Sequence, residues 1–191
     1  MTIVTTVFTP AASETRMIAS MKLPSIVLLC VAALSAQTSP KNPLVASSQA
    51  LFSVAKGDIL KSLDKIPDNL WSFQPTPDVR TVGQLFAHIA DGQYEFCSAA
   101  EGKQIDKGIE KTAKTKADVG AAVKEAFAYC DAAFAKMSDA DAAAMVPFFG
   151  RQLSRLSIMD FNTAHTMEHY GNLVTYMRIK GIVPPSSEGQ K

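Results

Sequence analysis

Cysteine is scarce in this chain, three in 191 residues, and no two of them form a CxxC pair. That excludes a disulfide-dense scaffold and the common zinc ribbons. Charge of one sign is lacking too: 19 basic residues face 18 acidic ones, a formal charge of +1 with no run of like charge. The sequence therefore carries no electrostatic footprint for nucleic acid or for an anionic membrane surface. Strand-like alternation is weak, and there is no internal repeat or low-complexity tract. The composition, 47% apolar and 19% charged, rules out a disordered or fibrous protein and suffices for the core of one domain, or of two very small ones. Histidine is as rare as cysteine, and the placement of the three histidines carries the functional reading.

Behind Met21 and Lys22, the stretch Ile26 to Ala36 reads IVLLCVAALSA. A bilayer core needs about 20 apolar residues, so this run is too short for a permanent span. A positive charge, a short apolar run and small residues at its end form the layout of a secretory signal peptide, with cleavage expected near Ser35 or Ala36. Residues 1–36 are accordingly read as a targeting segment, residues 1–20 as the product of a misassigned start, and the protein as periplasmic or secreted with no stable membrane span after cleavage. Cys30 follows Leu28-Leu29 rather than the small residue that lipidation needs, so a lipid anchor is the weaker reading. Loss of Arg16, Lys22 and Glu14 with the leader leaves 17 basic and 17 acidic residues.

The remainder reads as helices. Asn42-Pro43 opens the first, the proline suiting the first helical position, with an apolar stripe expected at Leu44, Leu51, Phe52, Ala55, Ile59, Leu63 and Ile66. Residues 67–80 hold three prolines with Trp71 and Phe73, a connector pinned by its aromatics. Thr81 to Gln84 has capping-box form and starts a second helix through Leu85, Ile89 and Phe96, ending near Gly102. A polar, lysine-rich stretch leads to Thr115 and Asp118, which cap a third helix with core positions Val119, Val123, Ala126, Phe127, Cys130, Phe134 and Met137. Ser138 to Gly150 reads as a break. The last helix runs from about Ser154 to Lys180 and stops at Gly181 before Pro184-Pro185. The expected fold is an all-α four-helix bundle over residues 42–187.

On the last helix Ile158, Phe161, His165, His169, Leu173 and Tyr176 follow at spacings of 3 or 4 and should face the core. Histidines at i and i+4 stack one turn apart, the arrangement that chelates one metal ion. His88, beside Ile89 on the second helix, can face the same interior. Three neutral imidazoles with one open position suit a catalytic or substrate-binding divalent metal; the competing reading is core histidines hydrogen-bonded to backbone or carboxylates. His165 to His169 also matches HxxEH, the inverted zinc-protease motif, but that chemistry needs a further ligand well downstream and Glu188 is the sole acid there. Glu168 and Asp91 are candidate proton relays. Asp91 and Asn172, each one turn from a histidine, are candidates to orient imidazoles, and Tyr94, Tyr170 and Arg178 are candidate ligand contacts.

The order of motifs, RTVGQLFAHIADGQ with His88, then TKADVGAAVKEAF, then AHTMEHYGNLVTYMRIKGIVPPSS, resembles the DinB-like (DinB/YfiT) four-helix-bundle superfamily over about residues 44–187. The resemblance implies that His88, His165 and His169 hold a divalent ion, commonly zinc, nickel or iron. Many members carry HxxHH, whereas Glu168 precedes His169 here, a departure that leaves the three ligands intact and bears on substrate contacts. It further implies a metal-dependent hydrolase acting on an unknown small molecule, with two alternatives: a non-catalytic metal- or ligand-binding envelope protein, and a thiol-dependent S-transferase, which an exported location disfavours. A homodimer paired through helix faces is compatible with this class. Cys97 and Cys130 fall on neighbouring helices. A disulfide would need their Cα atoms within about 7 Å, and buried free cysteines are the preferred expectation, Cys130 fitting the core stripe as a small apolar residue.

Overall fold

The computed structural model describes residues 40–189; the leader expectations for residues 1–36 lie outside the described residues. Four long helices dominate: α1 (Pro43–Lys65), α2 (Val82–Ala100), α4 (Lys116–Lys136) and α6 (Arg155–Ile179), with one-turn helices α3 (Ile109–Thr112) and α5 (Asp139–Ala142) between them. Helix α2 packs on both α4 and α6, and α1 rests against the same two partners. None of the described helices is long and apolar enough to cross a membrane.

Three of the caps read from the sequence form, whereas Asn42, expected to cap α1, makes no side-chain cap bond and instead accepts the Asp139 N–H at 3.2 Å. Thr81 accepts the Gln84 N–H while the Gln84 side chain accepts the Thr81 N–H. Thr115 and Ser154 cap α4 and α6 in the same way, through the N–H groups of Asp118 and Ser157. Each satisfies an N–H that helix geometry leaves orphaned. The connector is held by its aromatics, Trp71 stacking on Phe86 at 5.5 Å and Phe73 meeting Tyr176 edge-on at 5.8 Å.

Three expectations are corrected. On α1 the core face is Val45, Ser48, Phe52, Ala55, Ile59 and Leu63, whereas Leu44 and Leu51 are 61% and 66% exposed. The Asp139 carboxylate accepts the N–H groups of Leu44 and Val45 at 3.1 and 2.9 Å, and the first turn so anchored presents Val45 inward. The break before α6 contains a hairpin, β1 (Met145–Phe148) against β2 (Arg151–Ser154), antiparallel with Phe148 opposite Arg151; each strand is four residues long, too short for alternation to register in the sequence. Cys97 and Cys130 are joined by a disulfide, their Cα atoms 5.4 Å apart. Both fill fully buried positions where α2 meets α4, so close helix packing itself brings the sulfurs within bonding range.

Between α2 and α6 lies a buried polar layer. Gln93 Nε2 donates to Thr166 Oγ1 at 2.8 Å and Asn162 Nδ2 donates to Gln93 Oε1 at 2.8 Å, all three side chains being fully buried. These bonds give the two helices one preferred register, although Asn162 Oδ1 is buried without a hydrogen-bond partner among the described residues.

Candidate functional site

One turn along the same seam the histidines meet. His88 projects from α2, and His165 and His169 project from α6. His165 Nε2 lies 3.2 Å from His88 Nε2 and 3.0 Å from His169 Nε2, and the ring of His88 stands edge-on to that of His169 with centroids 4.7 Å apart. Three Nε2 atoms thus converge on one point from two helices. Zinc–nitrogen bonds of about 2.0–2.1 Å at tetrahedral angles put ligand nitrogens roughly 3.3 Å apart, so the donor set fits a divalent ion.

On their opposite edges two of the three rings have polar partners. His88 Nδ1 lies 3.2 Å from Glu110 Oε2; an N–H there donates to the carboxylate and leaves Nε2 bare. Asn172 Nδ2 lies 3.4 Å from His169 Nδ1 and orients that ring; exchange of the amide N and O would let Oδ1 accept a proton from Nδ1. His165 Nδ1 is buried with no hydrogen-bond partner among the described residues, so this ring is placed by packing alone. It sits edge-on to Phe96 at 5.0 Å and against Gly92, where a Cβ would come within 2.8 Å of its Cε1 and 3.1 Å of its Nδ1. Burial, assisted by the neighbouring imidazoles and Arg80, pushes the His165 pKa down to about 4. Burial and His88 also lower that of His169, against the pull of Glu168 and Glu110. These rings stay neutral, as metal ligation requires.

Glu110 and Gly92 are contacts that sequence reasoning did not single out. Gly92 stands one turn after His88 on the same face, a small residue opposite HxxxH, and that spacing was a readable signal. Glu110 had none, since it lies in the lysine-rich loop 102–114 and reaches the site through tertiary structure. Asp91 accepts the N–H groups of Ile109 and Glu110 at 2.7 and 2.9 Å, which seats α3 against α2 and delivers Glu110 to His88. Glu110 Oε1 also accepts from Arg80 Nε at 3.0 Å. Asp91 is therefore not placed to orient an imidazole directly, because its oxygens are engaged by backbone. Glu168 is exposed on the rim of a cavity of about 610 Å³ that His169, Asn172, Arg80 and Glu110 also line. Three expected ligand contacts are engaged elsewhere. Tyr170 Oη donates to Ser186 Oγ at 2.8 Å, Arg178 donates to Ser187 Oγ at 3.1 Å, and Tyr94 packs on Tyr129 with Lys107 over its ring. Phe161, expected in the core, is 46% exposed and joins an aromatic cluster beside His165.

Comparison with known proteins bears on this arrangement. The family profile described as DinB superfamily matches residues 51–173, which takes in all three histidines. No curated protein sequence matches the chain. Among solved structures it is similar to a DinB-like protein from Bacillus cereus ATCC 10987 (TM-score 0.65, 19% identity, covering 73% of this chain and 95% of that one). It is also similar to a DinB-like protein, YjoA, from Bacillus subtilis (0.59, 20%, 73% and 92%). A mycothiol-dependent maleylpyruvate isomerase shares the fold at 12% identity and TM-score 0.59, with 68% of this chain aligned to 60% of that one. With the profile match extending over most of the chain, this protein belongs to the DinB superfamily.

Proposed function

We propose that the protein is an exported, metal-dependent hydrolase of the DinB superfamily, its four long helices forming the family's bundle and His88, His165 and His169 holding one divalent ion, zinc, nickel or iron. The observation that carries this reading is the convergence of the three Nε2 atoms at 3.0 and 3.2 Å beside an open cavity. A divalent ion held there would polarise a carbonyl or phosphoryl oxygen and lower the pKa of a water toward about 7. The chain's own residues supply the rest. Glu110 fixes the imidazole tautomer at His88, Asn172 orients the ring of His169, and Asp91 acts through Glu110 as a positioning residue. Glu168, one residue before His169 at the cavity rim, takes and returns the proton.

Export is supported by the leader pattern and by the Cys97–Cys130 disulfide, since such bonds persist in oxidising compartments. The same compartment argues against the thiol-dependent chemistry of the isomerase whose fold is shared, because a low-molecular-weight thiol cosubstrate is a cytosolic metabolite. The test is elemental analysis of the untagged protein beside a His165→Ala/His169→Ala double variant, followed by a panel of ester, amide and phosphoester substrates with added metal. About one metal per chain, lost in the variant, together with turnover supports the hydrolase. Metal without turnover supports a binding module, and protein that cannot be loaded with zinc, nickel or iron overturns both.

A further inference from the structure

On the side of His165 away from Glu110, the seam between α2 and α6 is walled by phenylalanines. Phe96 meets His165 edge-on at 5.0 Å and Phe161 edge-on at 5.3 Å, and it also contacts Phe148 at 5.8 Å and Phe149 at 6.5 Å. A second cavity, about 1020 Å³, borders this cluster on the outer side of Phe148 and Phe149, its other walls coming from Asp91 and Glu95 of α2 and from the 102–106 loop. Phe149 occupies the first position of the two-residue hairpin connection at φ +46°, followed by Gly150 at +73°. Paired positive φ values in such a connection call for asparagine or glycine first. An aromatic side chain there is disfavoured by its backbone and, at 68% exposure, recovers little by burial. Strain of this kind concentrates at ligand-contacting positions, and the ring it presents is continuous, through Phe96, with the histidine centre.

We propose that Phe149 and Phe161, backed by Phe96 and Phe148, form an apolar subsite that binds an aromatic or similarly bulky hydrocarbon arm of the substrate whose reacting group sits at the histidines. The substrate class is then an acyl or phosphoryl compound with a hydrophobic arm, and the hairpin tip sets its selectivity. Ring-on-ring contact and removal of apolar area from water supply the affinity.

This inference rests on the metal-binding reading, and the experiment separates the two. Acetohydroxamate and 3-phenylpropionohydroxamate, which share one metal-chelating group, are titrated calorimetrically into the zinc-loaded full chain and into a Phe149→Asn/Phe161→Gln variant. Asparagine suits the turn and glutamine an exposed helical site, so the variant keeps the fold. The expected result is at least about tenfold tighter binding of the phenyl compound to the parent chain, falling to parity in the variant while acetohydroxamate binding is unchanged. Equal affinity for both compounds in the parent chain, or a preference that survives in the variant, overturns the subsite and leaves the metal site standing. Failure to take up zinc, nickel or iron overturns the metal reading and the subsite with it.

Discussion

Replacing Gly92 with alanine tests how the histidine centre is built. Alanine is favoured over glycine inside a helix by about 1 kcal/mol, so on propensity alone Gly92→Ala should stabilise α2. The added Cβ, however, would stand 2.8 Å from His165 Cε1 and 3.1 Å from its Nδ1, closer than carbon atoms pack. The backbone of α2 is fixed by α4 and α6 on either side, so the yielding partner is the imidazole, which makes no hydrogen bond through Nδ1 to resist. Global stability then changes by no more than about 1 kcal/mol, gain and clash offsetting each other. A displaced Nε2 no longer converges with the other two, and disturbance of this kind typically costs 10–100-fold in metal affinity. Gly57→Ala is the control: it lies within α1 with nothing near its Cβ position, and should gain about 0.5–1 kcal/mol with no effect on metal. Competition against a chromophoric zinc chelator, paired with thermal unfolding of the metal-free proteins, reads both quantities. Gly92→Ala binding zinc as tightly as the parent chain would refute the argument that packing on Gly92 places the third ligand.

Three further outcomes follow from the same geometry. Glu110→Gln removes the carboxylate that holds the His88 proton on Nδ1 and should weaken zinc binding by about tenfold or more in the same competition assay; unchanged affinity would make Glu110 a partner of Arg80 only. The chelated, metal-free protein should lose stability as pH falls. The folded-state pKa of His165 is pushed down to about 4 against about 6.5 in the unfolded chain. The unfolded state therefore binds the extra proton first, and the loss begins below about 6.5 and saturates below about 4. Urea unfolding across this range should show a flatter acid limb for His165→Met, and identical limbs would count against the buried neutral imidazole. Reduction of Cys97–Cys130, whose sequence separation is 33, should cost about 3–4 kcal/mol by loop entropy, visible as a lower melting temperature with dithiothreitol. Free thiols at Cys97 and Cys130 under denaturing, non-reducing conditions would refute the bond.

The parts of this molecule legible in the sequence are those set by local rules. Thr81, Thr115 and Ser154 announce helix starts because capping is a contact over three residues, and HxxxH reveals a shared face because helical periodicity is fixed. The phase of α1 is not legible locally because Leu44 is as apolar as Val45, and the choice between them is made by Asp139, nearly a hundred residues away. The same limit applies to Glu110 and to the disulfide. A carboxylate in a lysine-rich loop and a cysteine on a core stripe carry no local mark of their partners, which appear only when α3 docks on Asp91 and when α2 and α4 close to 5.4 Å.

The antiparallel run of α2 against α6 explains why a short motif on one helix and one histidine on the other suffice to make a site. Ascending α2 by turns gives His88, Gly92 and Phe96; descending α6 past them gives His169, His165 and Phe161. Each step on one helix meets a step on the other, as the ring contacts between His88 and His169 and between Phe96 and Phe161 record. Gln93 and Asn162, bonded at 2.8 Å within that seam, oppose a slip. Sliding α6 by one turn, about 5.4 Å, would leave their buried polar groups unsatisfied at roughly 1–3 kcal/mol apiece. Register is thus set by the polar layer, close approach by a missing Cβ at Gly92, and ring orientation by Glu110 and Asn172. The three nitrogens converge because these independent constraints act on the same pair of helices.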